Sequence, residues 1–198
     1  MPPFCSICGD PVAGAIEHDF VCFACAAERP SFDRARSAVR YDGVWGEALR
    51  LLKYRNGFWA LPDLAELLAE CVRSEYAGLR FDVVLPVPLH WRRRWSRGYN
   101  QSELLAEETA RRLGCPMEAG AIRRVRFTST QTRLTAKERR RNVQKAFLPH
   151  PVRGKRLKNR RVLLVDDVMT TGATVDACAR AARRCAVRSV HVATVARG

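Results

Sequence analysis

One stretch of thirteen residues, Val162–Thr174, constrains this chain more than any other. It reads VLLVDDVMTTGAT: four aliphatic residues, then two adjacent carboxylates, then a loop rich in threonine. This order predicts a buried strand that ends at a polar turn, followed by a helix. Loop N–H groups and hydroxyls at such a turn bind phosphate, and carboxylates before it bind sugar hydroxyls or a metal ion. A ribose 5-phosphate combines both features, so it is the ligand that we expect.

The two carboxylates, Asp166 and Asp167, follow an apolar strand, where like charges are costly unless a ligand or a metal ion neutralises them. Gly172 lets the backbone approach a ligand closely, and a helix beginning at Thr174 presents its positive end to the same place. The purely structural alternative is that the threonines cap the helix and that the carboxylates are solvated at its start.

Four cysteines near the N-terminus form two C-x-x-C pairs that are separated by 13 residues: Cys5, Cys8, Cys22 and Cys25. Four thiolates at this spacing complete the tetrahedral shell of a structural Zn²⁺ and leave no open position for chemistry. Residues 1–31 are therefore predicted to form a small zinc ribbon that depends on metal for its folding, since so short a segment has almost no core of its own. A redox role for either pair is the alternative, and His18 is expected at the surface.

Strands and helices are predicted to alternate along the rest of the chain, which indicates an α/β fold with a parallel sheet flanked by helices over residues 36–198. The apolar run within Phe81–Val87 is typical of a strand that is buried on both faces. Further strands are predicted at Ser37–Tyr41, Ala121–Val125, Arg161–Val165 and Ser189–Val195, and helices at Val44–Arg55, Leu61–Tyr76, Glu103–Leu113 and Thr174–Cys185. His90–Tyr99 is predicted to be a loop, and residues 126–151 show no convincing core periodicity.

The positive charge is concentrated in one segment of the chain. Between His90 and Arg161 there are 21 Lys or Arg and 5 Asp or Glu, a net charge of +16, whereas the other 126 residues carry −1. Coding bias accounts for the preference for arginine over lysine but not for this concentration. A polyanionic partner, either nucleic acid or a phosphate-rich substrate, is the better explanation.

Tryptophans are interleaved with this basic run. Trp91 and Trp95 stand among arginines, and proteins that bind single strands combine a cationic groove with stacking rings. The expected DNA contacts are Arg92, Arg93, Arg94, Trp95 and Arg97. The alternatives are a solvated basic loop for each arginine, and tryptophans that pack on the neighbouring basic segment.

Hydropathy gives no sign of a membrane span, because no apolar run approaches the roughly 20 residues that a span requires. The first ten residues, MPPFCSICGD, also lack the charged start and apolar stretch of a secretory signal. We therefore expect a cytoplasmic protein.

The stretch Val162–Thr174 resembles the 5-phosphoribosyl 1-pyrophosphate (PRPP) signature of type I phosphoribosyltransferases and matches it at every position. The resemblance implies that Asp166 and Asp167 are the catalytic carboxylates and bind the 2- and 3-hydroxyls of the ribose. It also implies a loop around the 5-phosphate, formed by Met169, Thr170, Thr171, Gly172, Ala173 and Thr174. A Mg²⁺ ion would bridge the diol, the pyrophosphate and bound water.

The order of motifs along the chain is also informative. The four cysteines are followed by LLKYRNG, VVLPVPLHWRRRWSRGYNQSELLA, QTRLTAKERRRNVQKAF and the PRPP signature. This order resembles the competence protein F (ComF) family over essentially the whole chain. The resemblance implies a phosphoribosyltransferase-like domain behind a zinc ribbon. It further implies a role in natural transformation or DNA uptake, with single-stranded DNA and a competence helicase or another DNA-processing protein as partners.

The resemblance assigns further site residues. Pro88 and Leu89 occupy the place of the pyrophosphate-binding loop, where the two prolines of Pro86–Pro88 remove backbone donors. Residues 126–151 occupy the place of a basic flap over PRPP, in which Arg139 and Asn142 match the family pattern. Lys53, in LLKYRNG, also matches a family position and is expected either to reach the phosphates or to be an ordinary cation at the end of a helix.

Three functions follow from these residues. The leading interpretation is a DNA-uptake protein that binds single-stranded DNA and carries a PRPP-binding pocket. The alternative is an active Mg²⁺-dependent phosphoribosyltransferase with an unknown base-like acceptor, although the sequence has no obvious hood domain to recognise a base. The third is an adaptor whose zinc ribbon docks another competence protein.

Overall fold

The fold was analysed in a computed structural model that describes residues 3–12, 14, 19–126 and 145–198. The α-helices of these residues are α1 (Phe23–Ala27), α2 (Gly43–Tyr54), α3 (Leu61–Glu75), α4 (Trp91–Arg97), α5 (Gln101–Leu113) and α6 (Ala173–Arg183). The strands are β1 (Arg34–Arg40), β2 (Val83–Pro86), β3 (Ile122–Arg124), β4 (Phe147–Pro149), β5 (Arg161–Met169) and β6 (Ser189–Arg197). Two short 3₁₀ helices lie at Phe58–Ala60 and Arg153–Leu157.

Four of the strands form a parallel sheet in the order β1-β6-β5-β2. The central strand, β5, begins with the aliphatic run, whose alternate side chains enter different cores because successive residues of a strand point to opposite faces. Leu164 packs on one face of the sheet with α6, and Leu163 packs on the other with α2, α3 and α5. Both leucines are fully buried. The predicted parallel α/β sheet with flanking helices is thereby confirmed.

The helices form for reasons that are visible in the sequence. Helix α3 has a proline in its first turn, where the missing N–H has no partner to lose. In α5, Asn100 accepts a hydrogen bond from the backbone N–H of Ser102 at 3.2 Å, and the helix ends at Gly114 in the left-handed conformation (φ 63°).

Within the described ranges, no helix has both the length and the apolar character that a membrane span needs.

Strand β5 is longer than the sequence predicts. The prediction ended the strand at Val165, but β5 runs on to Met169, because β6 continues to pair with it as far as Arg197 opposite Met169. Its other neighbour stops earlier, with Pro86 opposite Val165. The last residues of β5, including both carboxylates, therefore have no strand partner on the side where β2 has ended.

The prediction of a loop over His90–Tyr99 is wrong, because Trp91–Arg97 forms α4. His90 caps this helix by accepting a hydrogen bond from the backbone N–H of Arg92 at 3.3 Å, and Gly98 ends it in the left-handed conformation (φ 82°). No residue of α4 is buried, so the helix lacks the apolar periodicity by which a helix is recognised in a sequence.

The basic segment around residue 126 is anchored by two short antiparallel strands, β3 and β4. Phe147 at the start of β4 is buried in the core with Ala146, although the sequence showed no core pattern there. The strand predicted at Ala121–Val125 is present but shorter, and it joins this small sheet instead of the parallel one. The part of the predicted flap at residues 127–144 lies outside the described residues.

The cysteine-bearing segment packs directly against the parallel sheet. The backbone N–H of Ala35 in β1 donates to the carbonyl of Ile7 at 2.7 Å, and Cys5 and Ile7 are buried in the same core as Phe32. The buried guanidinium of Arg36 contacts both this segment, through the Ser6 carbonyl at 3.2 Å, and Glu75 of α3, at 2.8 Å. The division into a ribbon at 1–31 and a larger domain at 36–198 stays a prediction.

Candidate functional site

The two adjacent carboxylates are buried near the carboxyl end of β5. Asp166 is 7% exposed and Asp167 is 5% exposed. One oxygen of Asp166 accepts hydrogen bonds from the Ser102 hydroxyl at 2.7 Å and from the backbone N–H of Asp167 at 3.0 Å. One oxygen of Asp167 accepts from the backbone N–H of Val168 at 2.7 Å. The other forms an ion pair of 2.9 Å with the ammonium of Lys53.

Burial dominates the electrostatics of this pair. It raises the pKa of Asp166 to about 7, helped by the adjacent charge of Asp167 and opposed by the hydrogen bond from Ser102. Burial alone would lower the pKa of Lys53, but the contact with Asp167 outweighs it, so that this pKa is raised. Two carboxylates with one nearby ammonium form a site that attracts hydroxyl donors and divalent cations.

Two partners of the acidic pair come from distant parts of the chain. Lys53 lies in the last turn of α2, where its ammonium contacts a carboxylate and is partly shielded from solvent. Ser102 lies in the first turn of α5, so the helix cap at Asn100 also orients a hydroxyl toward Asp166. Ser102 was not singled out from the sequence, because a hydroxyl in the first turn of a helix is common and does not indicate this contact.

The loop after β5, residues 170–172, borders a small cavity. Gly172 has φ 74° and immediately precedes α6, and a side chain there would meet the Met169 methyl group at 2.9 Å. A small cavity of about 40 Å³ is lined by Asp166, two valines and the residues predicted to surround the 5-phosphate: Met169 at the end of β5, Thr170, Thr171 and Gly172 in the loop, and Ala173 and Thr174 at the start of α6. The predicted loop residues therefore lie around one space, which suits one compact group at a helix N-terminus.

The predicted pyrophosphate loop follows β2 and faces cationic side chains. Pro88 and Leu89 are half-buried. Burial and the positive charges of Arg124, Arg92 and Arg93 lower the pKa of His90. The pKa of Arg124 is lowered, because burial and the positive charge of Arg93 outweigh the opposing effect of Asp166. Arg124 was not singled out from the sequence, because only the fold shows that it ends β3, where β3 pairs with β4.

The residues proposed for DNA contacts lie together on α4. Trp95 is exposed, Arg94 forms an ion pair with Glu103 at 2.9 Å, and the Arg97 guanidinium donates to Gln101. The predicted flap residues Arg139 and Asn142 lie outside the described residues.

The four N-terminal cysteines converge on one point, with Sγ atoms that all lie within 4.8 Å of one another. The Sγ atoms of Cys8 and Cys22 are 3.7 Å apart. A tetrahedral shell with bonds of about 2.3 Å places its sulfurs about 3.8 Å apart, so the donor set fits a metal ion such as zinc. Burial raises the pKa of Cys8 to about 11, and a bound divalent cation would offset this by stabilising thiolates.

A second, larger cavity of about 380 Å³ lies between the cysteine cluster and the loop that follows β5. Cys8, Cys22 and Phe32 line one side, and Met169 and the loop residues line the other. The ion pair between Arg197 and Asp10, at 2.8 Å, closes part of its wall. The loop is thus shared by a small polar cavity and a large mixed one.

The comparisons agree with this geometry. A model of the phosphoribosyl transferase domain family matches residues 98–198, a range that includes the acidic pair and the loop. The fold and the site accordingly define a protein with a phosphoribosyl transferase domain.

Similarity to known proteins extends over nearly the whole chain. Competence protein F of Haemophilus influenzae is 34% identical over 198 residues, which cover 98% of this chain and 85% of that protein. DNA utilization protein YhgH of Salmonella typhimurium is 36% identical over 196 residues, 95% of this chain and 81% of that protein. Competence protein ComFC of Bacillus subtilis is 26% identical over 145 residues, 73% of this chain and 56% of that protein. The chain belongs to the competence protein F family.

The burial of Asp166 predicts a specific pH dependence of stability. Its pKa is about 7 in the folded protein, against an ordinary value of 3.8, so the folded state retains a proton that the unfolded state loses between these values. The Asp166 contribution to the free energy of unfolding therefore falls as the pH rises from about 4 to about 7. Urea denaturation of the wild type and Asp166→Asn should show their stability difference, wild type minus variant, falling by on the order of 1–3 kcal/mol across this window. A constant difference would contradict the prediction.

Proposed function

We propose that this protein binds single-stranded DNA and carries a pocket for PRPP with Mg²⁺. The observation that carries the proposal is the juxtaposition of a buried acidic pair with a small cavity at the start of α6. The names of the relatives, competence protein and DNA utilization protein, favour DNA as the partner.

The chemistry of the pocket favours a ribose with free hydroxyls. Asp166 and Asp167 would accept hydrogen bonds from the 2- and 3-hydroxyls, and the loop Met169–Thr174 would take the 5-phosphate with backbone N–H groups and threonine hydroxyls. The carboxylates would repel a phosphodiester at the 3-position, so an internal DNA nucleotide is a poor fit. Mg²⁺ would bind pyrophosphate oxygens beside the acidic pair, and the Lys53 ammonium would exchange its contact with Asp167 for one with the ligand.

The DNA contacts are proposed for α4, where Arg92, Arg93, Arg94 and Arg97 accompany Trp95. Arginines neutralise phosphates and release counterions on binding, and an exposed indole offers a face for base stacking.

A second candidate function, phosphoribosyl transfer, is favoured by the large cavity that borders the same loop. Its volume of about 380 Å³ is sufficient for a base-sized acceptor. In such a reaction the base nitrogen would form a bond to the ribose C1, the bond from C1 to the pyrophosphate oxygen would break, and the proton of that nitrogen would pass to water as pyrophosphate leaves. Electrostatic stabilisation by Mg²⁺ and the cationic side chains would supply most of the catalysis.

We further propose that Zn²⁺ is the structural metal of the cysteine cluster. Four cysteine ligands close the coordination shell, which is the pattern of structural and not of catalytic zinc.

The PRPP pocket is tested by calorimetric titration with PRPP and Mg²⁺. Asp167→Asn should weaken PRPP binding at least tenfold, because it removes a charge-assisted contact to a ribose hydroxyl. The matched control is Asp63→Asn, which changes an exposed aspartate on α3. Equal affinity in the three proteins, or affinity that does not depend on Mg²⁺, would argue against this pocket.

DNA binding is tested through its dependence on salt. The logarithm of the affinity for a single-stranded oligonucleotide should fall linearly with the logarithm of salt concentration, with a slope of about −0.7 for each phosphate neutralised. Changing Arg92, Arg93 and Arg94 together to Gln should make the slope shallower by about 2. The control is the pair Arg184→Gln and Arg188→Gln, two exposed arginines outside the basic segment. A slope near zero for the wild type would refute the proposed contacts.

The metal proposal is tested by elemental analysis of the purified protein. We expect about one zinc ion per chain and a loss of both zinc and cooperative unfolding in Cys25→Ser, since zinc-dependent segments derive folding free energy from the metal. Cys185→Ser, at a half-buried cysteine outside the cluster, serves as the control and should retain the metal. A wild-type protein that folds without zinc would contradict the proposal.

A further inference from the structure

Three exposed aromatic side chains that have no role in the proposed site lie close together in the chain, outside α4. Tyr54 at the end of α2 is 73% exposed, Trp59 in the first 3₁₀ helix is 70% exposed, and its neighbour Phe58 is 43% exposed. Single exposed apolar residues are ordinary, but three rings within six positions of the chain form a local concentration that the fold does not require.

Contacts join these rings to α4. The Arg97 guanidinium lies over the Tyr54 ring, 5.2 Å from its centroid. Phe58 makes an edge-on contact of 4.9 Å with Tyr99, just beyond α4, and the Tyr99 hydroxyl donates to the Leu52 carbonyl in α2. The end of α2, the 3₁₀ helix and the end of α4 are thereby held together.

Helix α4 carries two further exposed rings. Trp91 and Trp95 are 63% and 89% exposed, and their spacing of four residues places them on one face of the helix. The Arg92 guanidinium lies 5.3 Å from the Trp91 ring centroid. We call Trp91, Trp95, Tyr54, Phe58 and Trp59 the aromatic surface.

The charges beside the aromatic surface decide which partner it suits. Three arginines stand between the two tryptophans of α4, and Arg97 stacks on Tyr54. A purely apolar partner would have to desolvate these guanidinium groups without compensation, which is costly. Single-stranded nucleic acid suits both the guanidinium groups and the rings, because its phosphates pair with the former and its unpaired bases stack on the latter.

We propose that the aromatic surface is a stacking surface for single-stranded DNA, along which the strand runs from α4 to Tyr54 and Trp59. The inference rests on the proposed DNA-binding function. It adds the residues on which the bases would stack and the path that the strand would follow. Because Tyr54 follows Lys53, whose ammonium contacts Asp167, the strand passes next to the phosphoribosyl site.

The test is fluorescence anisotropy with a labelled oligothymidylate and the full-length protein. Tyr54→Ala and Trp59→Ala should each weaken binding roughly 5- to 100-fold, the range for loss of one stacked base. Their salt slopes should stay at the wild-type value, because stacking releases no counterions. Trp59→Phe, which keeps a ring, should recover most of the affinity. Phe23→Ala removes an equally exposed ring (88%) from α1 and should bind as the wild type does.

The outcomes separate this inference from the proposed function. If the wild type binds the oligonucleotide and the Tyr54 and Trp59 variants bind equally well, the aromatic surface is refuted while DNA binding stands. If the wild type does not bind it, the proposed function fails as well. Equal affinity for a duplex of the same sequence would refute stacking. Trp59-dependent binding to vesicles of phosphatidylglycerol and phosphatidylcholine, without binding to the oligonucleotide, would assign the surface to a membrane and overturn the inference.

Discussion

Two adjacent carboxylates are buried near the carboxyl end of the central strand, and the surrounding elements compensate for their charge. Lys53 from the end of α2 neutralises Asp167 at 2.9 Å, and Ser102 from the start of α5 donates to Asp166 at 2.7 Å. Both helices pack on the same face of the sheet, so the packing of their apolar sides delivers these polar groups. The pair remains costly even so, since the pKa of Asp166 is raised to about 7. A ligand that supplies hydroxyls and a cation relieves this cost.

Unequal strand lengths create the room for such a ligand. Strand β2 ends at Pro86, opposite Val165, while β5 continues to Met169 along β6. Ligands of open α/β sheets bind beyond the carboxyl ends of the strands. Here the early end of β2 leaves Asp166 and Asp167 without a strand partner on that side, and the loop before α6 lines a small cavity together with Asp166. The same loop borders the cavity toward the cysteine cluster, so the cysteine-bearing segment lies close to the loop that follows β5.

The cationic and aromatic groups lie on a different part of the molecule from the cysteine cluster. The cluster packs on the face of the sheet that carries α6, whereas the end of α2, which packs on the opposite face, joins α4 in the aromatic surface through Tyr54 and Arg97. Lys53 stands between the aromatic surface and the acidic pair. Under the proposed function, this arrangement would let one strand of DNA and one phosphoribosyl ligand approach the same region through different side chains.

Much of the fold and of the candidate site was predictable from local sequence. The aliphatic run of β5, the proline in the first turn of α3 and the glycine after α5 act through backbone geometry and burial, which neighbouring residues decide. The four cysteines were recognisable because metal coordination demands a fixed number and spacing of ligands. Helix α4 was not recognisable, since its residues are all exposed or half-buried and show no apolar stripe.

The sequence by itself determined the chemistry that is present: a ribose-phosphate motif, a metal-type cysteine set and a basic segment with tryptophans. Only the tertiary structure decided which distant side chains meet. The contact of Lys53 with Asp167 spans 114 positions, and the contacts of Ser102 with Asp166 and of Tyr54 with Arg97 span 64 and 43 positions. Such contacts depend on how the helices pack on the sheet, a property of the whole hydrophobic core and not of any short segment.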